Sequence, residues 1–230
     1  MPPPRAERVA FTLAEVLVTL GIIGVVAALT IPTIIQNHKK HIVETKLKKF
    51  YSTINQAIRM SEIDNGDKMY WEVTDIDDFY HTYLEKYLPG VKYKFVNWRV
   101  PRGHLEFPDG SKAIYDLYLL DDSKVGGHFI YCINAKDCGY QDFTLFYGTK
   151  HFSFGFWPNT ITTRSNIAGL MKYHQGKGVE PYVANWNGTE IQLKDGQFGC
   201  KKDNEKYAYY CTAIIQRNGW KIPKDYPLKL

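Results

Sequence analysis

Glu15 is the side chain with most to explain in this 230-residue chain. It lies near the start of residues 11–35, F-T-L-A-E-V-L-V-T-L-G-I-I-G-V-V-A-A-L-T-I-P-T-I-I, and is the only formal charge in that run. A bilayer core takes about 20 apolar residues in helix, and the run supplies them. A carboxylate in such a segment is costly unless paired, so it reads as functional. Upstream stands only M-P-P-P-R-A-E-R-V-A, short and basic. A cut after Ala10 would make Phe11 the new N-terminus. Its α-amine, with a reference pKa near 8, would then sit about one helical turn from Glu15. Cleavage would manufacture the cation that the acid lacks.

Four cysteines form two close pairs in sequence, Cys132 with Cys138 and Cys200 with Cys211. Four cysteines permit three connectivities, and sequence does not choose among them. Local pairing is favoured because each closed loop is short. An even count suits an oxidising compartment. A Cys₄ zinc site is the rival, but C-x5-C and C-x10-C lack the tight knuckle such sites use. His38 and His41, one turn apart, have the spacing of a metal pair, although a solvated basic juxtamembrane stretch explains them better. Asp75 to Asp78 and Asp121-Asp122 lack the ligand spacing of a calcium loop. The first group falls where acids favour a helix start, the second in a turn. No metal and no cofactor is expected.

Tyr93, Lys94, Phe95, Trp98, Arg99 and Arg102 interleave aromatics with cations, a composition able to stack on bases and contact phosphates. An alternating strand with one buried face accounts for the same residues, so DNA is a minor alternative as partner. Asn187-Gly188-Thr189 is a sequon that also reads as a turn. There is no G-x-S-x-G, P-loop, H-E-x-x-H or G-x-G-x-x-G in the chain, which points away from an enzyme.

What must position these residues follows from patterning. After Pro32, Val43, Leu47, Phe50, Ile54, Ala57 and Ile58 recur at three- and four-residue steps. Lys39, Lys46, Lys49, Gln56 and Arg59 lie largely opposite. Asp64-Asn65-Gly66 is a helix stop. A helix from Thr12 to Asp64 would be about 80 Å long, with Pro32 removing one donor and kinking or loosening it. Gly21 and Gly24 leave room for close helix neighbours. A short helix is expected over 75–88, with Ile76, Phe79, Tyr80, Tyr83, Leu84 and Tyr87 on one side. Strand signals follow: 91–96, then 104–107 and 113–120 about a turn at Pro108–Ser111, then 128–132, 143–147 and 151–156. T-A-I-I-Q, after Cys211, reads as a last strand, and residues 219–227 as an irregular tail laid back on the domain.

Composition bounds the rest. Hydrophobic content of 44% and aromatic content of 15% argue for a packed, β-rich body rather than disorder. About 165 residues remain for one soluble domain with a sizeable core. Net charge is +5, and losing Arg5, Glu7 and Arg8 would lower it by one. Lys39, Lys40, Lys46, Lys48 and Lys49 gather behind the apolar run, solvating it or meeting lipid head groups. Both flanks are thus basic, which weakens orientation by the positive-inside rule.

The basic leader, F-T-L-A-E and Pro32 together resemble the type IV pilins and type II secretion pseudopilins. The resemblance covers roughly residues 5–60. It implies a leader at 1–10, a transmembrane and assembly helix at 11–35, an amphipathic half at 36–66 and a head at 67–230. The implied fold is α+β, a long helix packed on an antiparallel sheet. The resemblance further implies cleavage between Ala10 and Phe11 by a prepilin peptidase, N-methylation of Phe11, Glu15 as assembly residue and Pro32 as helix break. Implied partners are other pilin or pseudopilin subunits, an assembly platform protein and inner-membrane lipid. The protein would pass once through the bacterial inner membrane, head outside the cytoplasm, before entering a filament. One departure stands out: the family usually has Gly before the cut, where this chain has Ala10. A secretory signal ending near Val26-Ala27-Ala28 is a poorer fit, since its apolar core is shorter and needs no acid. A plain membrane anchor, or a minor pilin that binds DNA or surfaces, are the remaining readings.

Overall fold

The computed structural model describes residues 12–98, 100–119, 125–138, 146–159, 171–204 and 206–230. Helix α1 runs Leu13–Asn65, 53 residues, with Pro32 inside it. Helical assignment continues through the proline. The helix stops at Gly66, whose φ of +75° is the left-handed conformation that glycine adopts without strain. By its contacts the chain divides into two compact units, Met1–His41 and Ile42–Leu230.

In the second unit, Val43, Leu47, Phe50, Ile54, Ala57 and Ile58 are all buried, so the apolar stripe of α1 is its packing face. They meet a six-stranded antiparallel sheet whose strands neighbour one another in chain order. The strands are β1 Lys92–Trp98, β2 Val100–Glu106, β3 Lys112–Leu119, β4 Val125–Cys132, β5 His151–Phe156 and β6 Glu180–Pro181. Alternation selects the face: Leu105, Ala113, Tyr115, Phe129, Tyr131, Phe152, Phe154 and Phe156 join the α1 core. The α+β arrangement of helix on antiparallel sheet is therefore as the sequence leads one to expect.

The β2–β3 turn closes where the Pro-Asp-Gly-Ser stretch stands. Gly110 has φ +76°, and the Asp109 carboxylate accepts from the Ser111 amide at 3.1 Å. Helix α2, Ile76–Tyr83, begins at Asp75, whose carboxylate accepts from the Asp78 amide. The acids at 75–78 thus cap a helix. Ile76, Phe79, Tyr80, Tyr83 and Leu84 face the core, and Tyr87 lies in the 3₁₀ turn that follows.

Two expectations need correction. T-A-I-I-Q belongs to helix α4, Cys211–Arg217, and not to a strand. Short apolar runs carry no decisive period, and here Cys211, Thr212, Ala213 and Ile215 turn inward on helical spacing. Lys46 and Lys49 do more than solvate α1. Lys46 Nζ donates to the Asp109 and Ile133 carbonyls at 3.1 and 2.8 Å, and Lys49 pairs with the Asp109 carboxylate at 3.1 Å. Helix α3, Glu190–Lys194, starts at Thr189 on the Asn187-Gly188-Thr189 turn, so the sequon stretch forms a turn. The tail lies back on the domain: Trp220 packs on Tyr51 at 4.9 Å, and Lys221 and the Ile222 amide both bond Glu44.

The four cysteines form two disulfides, Cys132–Cys138 and Cys200–Cys211. Each closes a short loop and removes about 2–3 kcal/mol of unfolded-state freedom. Protein kept in oxidising conditions should carry no free thiol, and peptide maps should give those two links. Reduction should lower the denaturation midpoint accordingly. Four titratable thiols in the intact protein would overturn the pairing.

Candidate functional site

Among the described residues, exposed apolar side chains dominate the first unit. Leu13, Leu17, Leu20, Ile23, Leu29 and Ile34 are exposed. α1 is long and apolar enough to cross a membrane, and none of its most apolar window is buried. Apolar surface of this extent is the kind that lipid or partner helices cover. Two of its hydroxyls are satisfied locally: Thr30 donates to the Val26 carbonyl at 2.9 Å and Thr19 to that of Glu15. Such i−4 bonding removes the need for an outside partner at those two positions.

Glu15 stands in the first turn of this helix. Its Oε2 accepts from the Thr12 amide and from the Thr12 hydroxyl, both at 2.8 Å. The Glu15 amide in turn donates to Thr12 Oγ1 at 3.3 Å. This is a capping box, T-x-x-E, which satisfies orphan donors reciprocally at the helix start. Reading the acid only as a charge in search of a cation missed it, although the four-residue signature was present. The carboxylate also lies where the helix dipole favours an anion. Ala10 and Phe11, where cleavage and methylation are expected, lie outside the described residues, as do Asp121, Asp122 and Arg99.

His38 and His41 are exposed, and among the described residues no three His, Cys, Asp or Glu side chains gather into a metal-sized group. One aromatic of the aromatic and cationic strand is engaged within the head. Tyr93 stacks on Tyr80 at 4.0 Å between ring centres, and its hydroxyl donates to the Asp77 carboxylate. That ring is therefore part of the α2–β1 contact and presents no free stacking platform. Phe95 remains 40% exposed.

On the other sheet face sits a polar layer that the sequence did not reveal. Asp116 and His128 pair across β3 and β4 at 3.9 Å. His104 is buried, and burial with Lys112 and Arg102 nearby pushes it down to about 4. Burial holds His174 down to about 3, and its Nε2 lies 3.2 Å from the Val183 carbonyl. His104 and His174 stay neutral at ordinary pH, and His174 joins its turn to the segment after β6.

The pairing of apolar helix and capped acid is thus the arrangement with most to say about function. No curated protein and no solved structure matches the chain. The family described as a family of unknown function (DUF6613) matches residues 33–230, from one residue past Pro32 to the end of the tail, so the match rests on the amphipathic half of α1 and the sheet and leaves out the F-T-L-A-E segment. With most of its length inside that match, the chain belongs to the family of unknown function DUF6613.

Proposed function

We propose that this chain is a prepilin-type subunit of a type IV pilus or a type II secretion pseudopilus. The observation that carries the proposal is Glu15, the single carboxylate of the membrane-length apolar run 11–35, one turn from the residue that cleavage after Ala10 would expose. The precursor would be held in the bacterial inner membrane by α1, with the head outside the cytoplasm, where two disulfides are at home. A prepilin peptidase would cut after Ala10 and methylate Phe11. An assembly platform protein would then pass the subunit into a filament, α1 exchanging lipid for the helices of other subunits. Glu15 of the incoming subunit would neutralise the α-amine of a neighbour, both charges lying in an apolar filament core. On this reading the protein is structural and carries out no reaction of its own.

The capping box favours a second reading, a plain membrane anchor for a binding head. It gives the acid a role without any partner. Processing separates the two. Mass spectrometry of protein from the envelope should find a chain beginning at Phe11 and heavier by one methyl group. Ala10→Gly should be cut at least as fast as the natural residue, and a bulky side chain at position 10 should block cleavage. A mature start at Met1 would favour the plain anchor, and one at Leu29 a secretory signal.

A further inference from the structure

Asparagine precedes glycine at three places in the chain, Asn65-Gly66, Asn187-Gly188 and Asn218-Gly219. At such a pair the glycine amide nitrogen, unshielded by a side chain, can attack the asparagine carboxamide carbon. The three are held differently. Asn65 ends α1, and its Nδ2 donates to Ser61 Oγ at 3.0 Å. Asn218 Nδ2 donates to the Lys221 carbonyl at 2.9 Å, and the Gly219 amide donates to the Gln216 carbonyl at 2.9 Å. Asn187, which is exposed, is held the other way round, by its oxygen. Its Oδ1 accepts from the Thr189 amide at 3.0 Å and from the Thr189 hydroxyl at 2.7 Å. Among the described residues nothing accepts from its Nδ2, and the Gly188 amide donates to nothing.

Each difference favours reaction at Asn187. The attacking nitrogen is unencumbered, and beyond the flanking residues no atom lies within 4 Å of where a Cβ on Gly188 would stand. As Cγ takes the new bond, charge gathers on Oδ1, where two donors are already aimed. Hydrogen bonds to a developing oxyanion strengthen in the transition state. At Asn65 and Asn218 the bonded atom is instead the nitrogen that has to leave. The loop around Asn187 is also stapled: its amide donates to Gln192 Oε1 at 2.6 Å, and Gln192 Nε2 donates to the Asn185 carbonyl at 2.8 Å. We propose that Asn187 is a self-modification site, at which the exposed loop before α3 acquires an aspartate or an isoaspartate. The Gly188 amide gives its proton to hydroxide, and its nitrogen bonds to Asn187 Cγ. The Cγ–Nδ2 bond breaks and ammonia leaves, which closes a succinimide. Water then opens that ring at either carbonyl. The proposal does not depend on the chain being a pilin or on α1 crossing a membrane.

The test holds the full chain in detergent at neutral and at mildly alkaline pH. Mass spectrometry follows the three Asn-Gly peptides, each conversion adding one mass unit. Asn187 should convert about ten-fold faster than Asn65 or Asn218, the ratio given by one net hydrogen bond gained in the transition state. Conversion should be faster at the higher pH, and enzymatic methylation of isoaspartate should label the Asn187 peptide first. Thr189→Ser keeps the hydroxyl and should keep the rate, whereas Thr189→Ala should slow it about five-fold. The reduced chain in denaturant shows what sequence alone does, and there the three rates should converge. Equal rates in the folded chain, or the same lead for Asn187 in denaturant, would overturn the proposal. So would faster conversion of Thr189→Ala than of wild type, which would mean that the loop protects the carboxamide. An Asn187 peptide from the envelope heavier by a saccharide would show a glycosyltransferase using the sequon, with no free carboxamide left to lose, and would overturn it too.

Discussion

Phe50→Ala should destabilise the head by about 3–5 kcal/mol, the usual cost of truncating a buried aromatic. Phe50 is 2% exposed and is the side chain through which α1 grips the sheet. Its ring stacks on Tyr131 with centres 4.4 Å apart and meets Phe154 at 5.0 Å and Phe107 at 5.7 Å. Truncation removes the apolar transfer energy and leaves a cavity between two rigid layers, which cannot collapse to fill it. Domains of this kind have about 5–15 kcal/mol in all, so the loss is a large share. Denaturation of the full chain in detergent should show a lower midpoint with an unchanged slope. Phe50→Leu, which keeps most of the volume, should cost less than half as much. A loss below about 1 kcal/mol for the alanine variant would mean that the helix and sheet are held together elsewhere.

That helix–sheet contact was legible in the sequence because it depends on a period. Val43, Leu47, Phe50, Ile54, Ala57 and Ile58 repeat on one helical face, and all are buried. The hairpin at Pro108–Ser111 was legible for another reason: only a few residue types adopt the backbone that the turn requires. Gly110 with its positive φ supplies that backbone. The segment 212–216 was not legible. T-A-I-I-Q is too short for a period to show, and its inward face of Cys211, Thr212, Ala213 and Ile215 is defined only by the tertiary fold. Lys46 was misassigned because pattern reading treats charge as solvated. Its ammonium instead meets two carbonyls of loops far away in sequence. Such a contact leaves no local trace.

The candidate site divides the same way. An acid in a membrane-length apolar run is visible in the sequence without any fold. The role of Thr12 was equally available as T-x-x-E but was overshadowed by the search for a cation. The polar layer of His104, Asp116, His128 and His174 is different in kind. It depends on which residues share a sheet face across three strands and a loop, and alternation within one strand does not predict a pairing between strands.

Glu15 has two possible partners, and three variants separate them. Glu15→Gln keeps a side-chain oxygen able to accept from the Thr12 amide and hydroxyl, so the cap survives while the charge is lost. Glu15→Leu removes both. Thr12→Ala removes the hydroxyl half of the cap and leaves the acid. All three should insert in the membrane, the leucine variant as well as wild type or better, since Leu is favourable in hydrocarbon and a carboxylate is not. If the acid meets the Phe11 amine of a neighbouring subunit, Glu15→Gln should be cleaved normally and yet enter filaments poorly. A charge pair at contact distance near a protein surface is worth up to about 4 kcal/mol. Even a third of that is about ten-fold in the subunit's share of the fibre. Wild type and variant expressed together from distinguishable genes give that share directly, because the wild type keeps assembly running. Thr12→Ala should then assemble nearly as well as wild type, having lost only about 1 kcal/mol of local helix capping. The opposite ranking, with Glu15→Gln assembling normally and Thr12→Ala failing beside Glu15→Leu, would mean that the acid serves the helix start alone. The charge-pairing account would then be gone, and the plain anchor would be the better reading of the same residues.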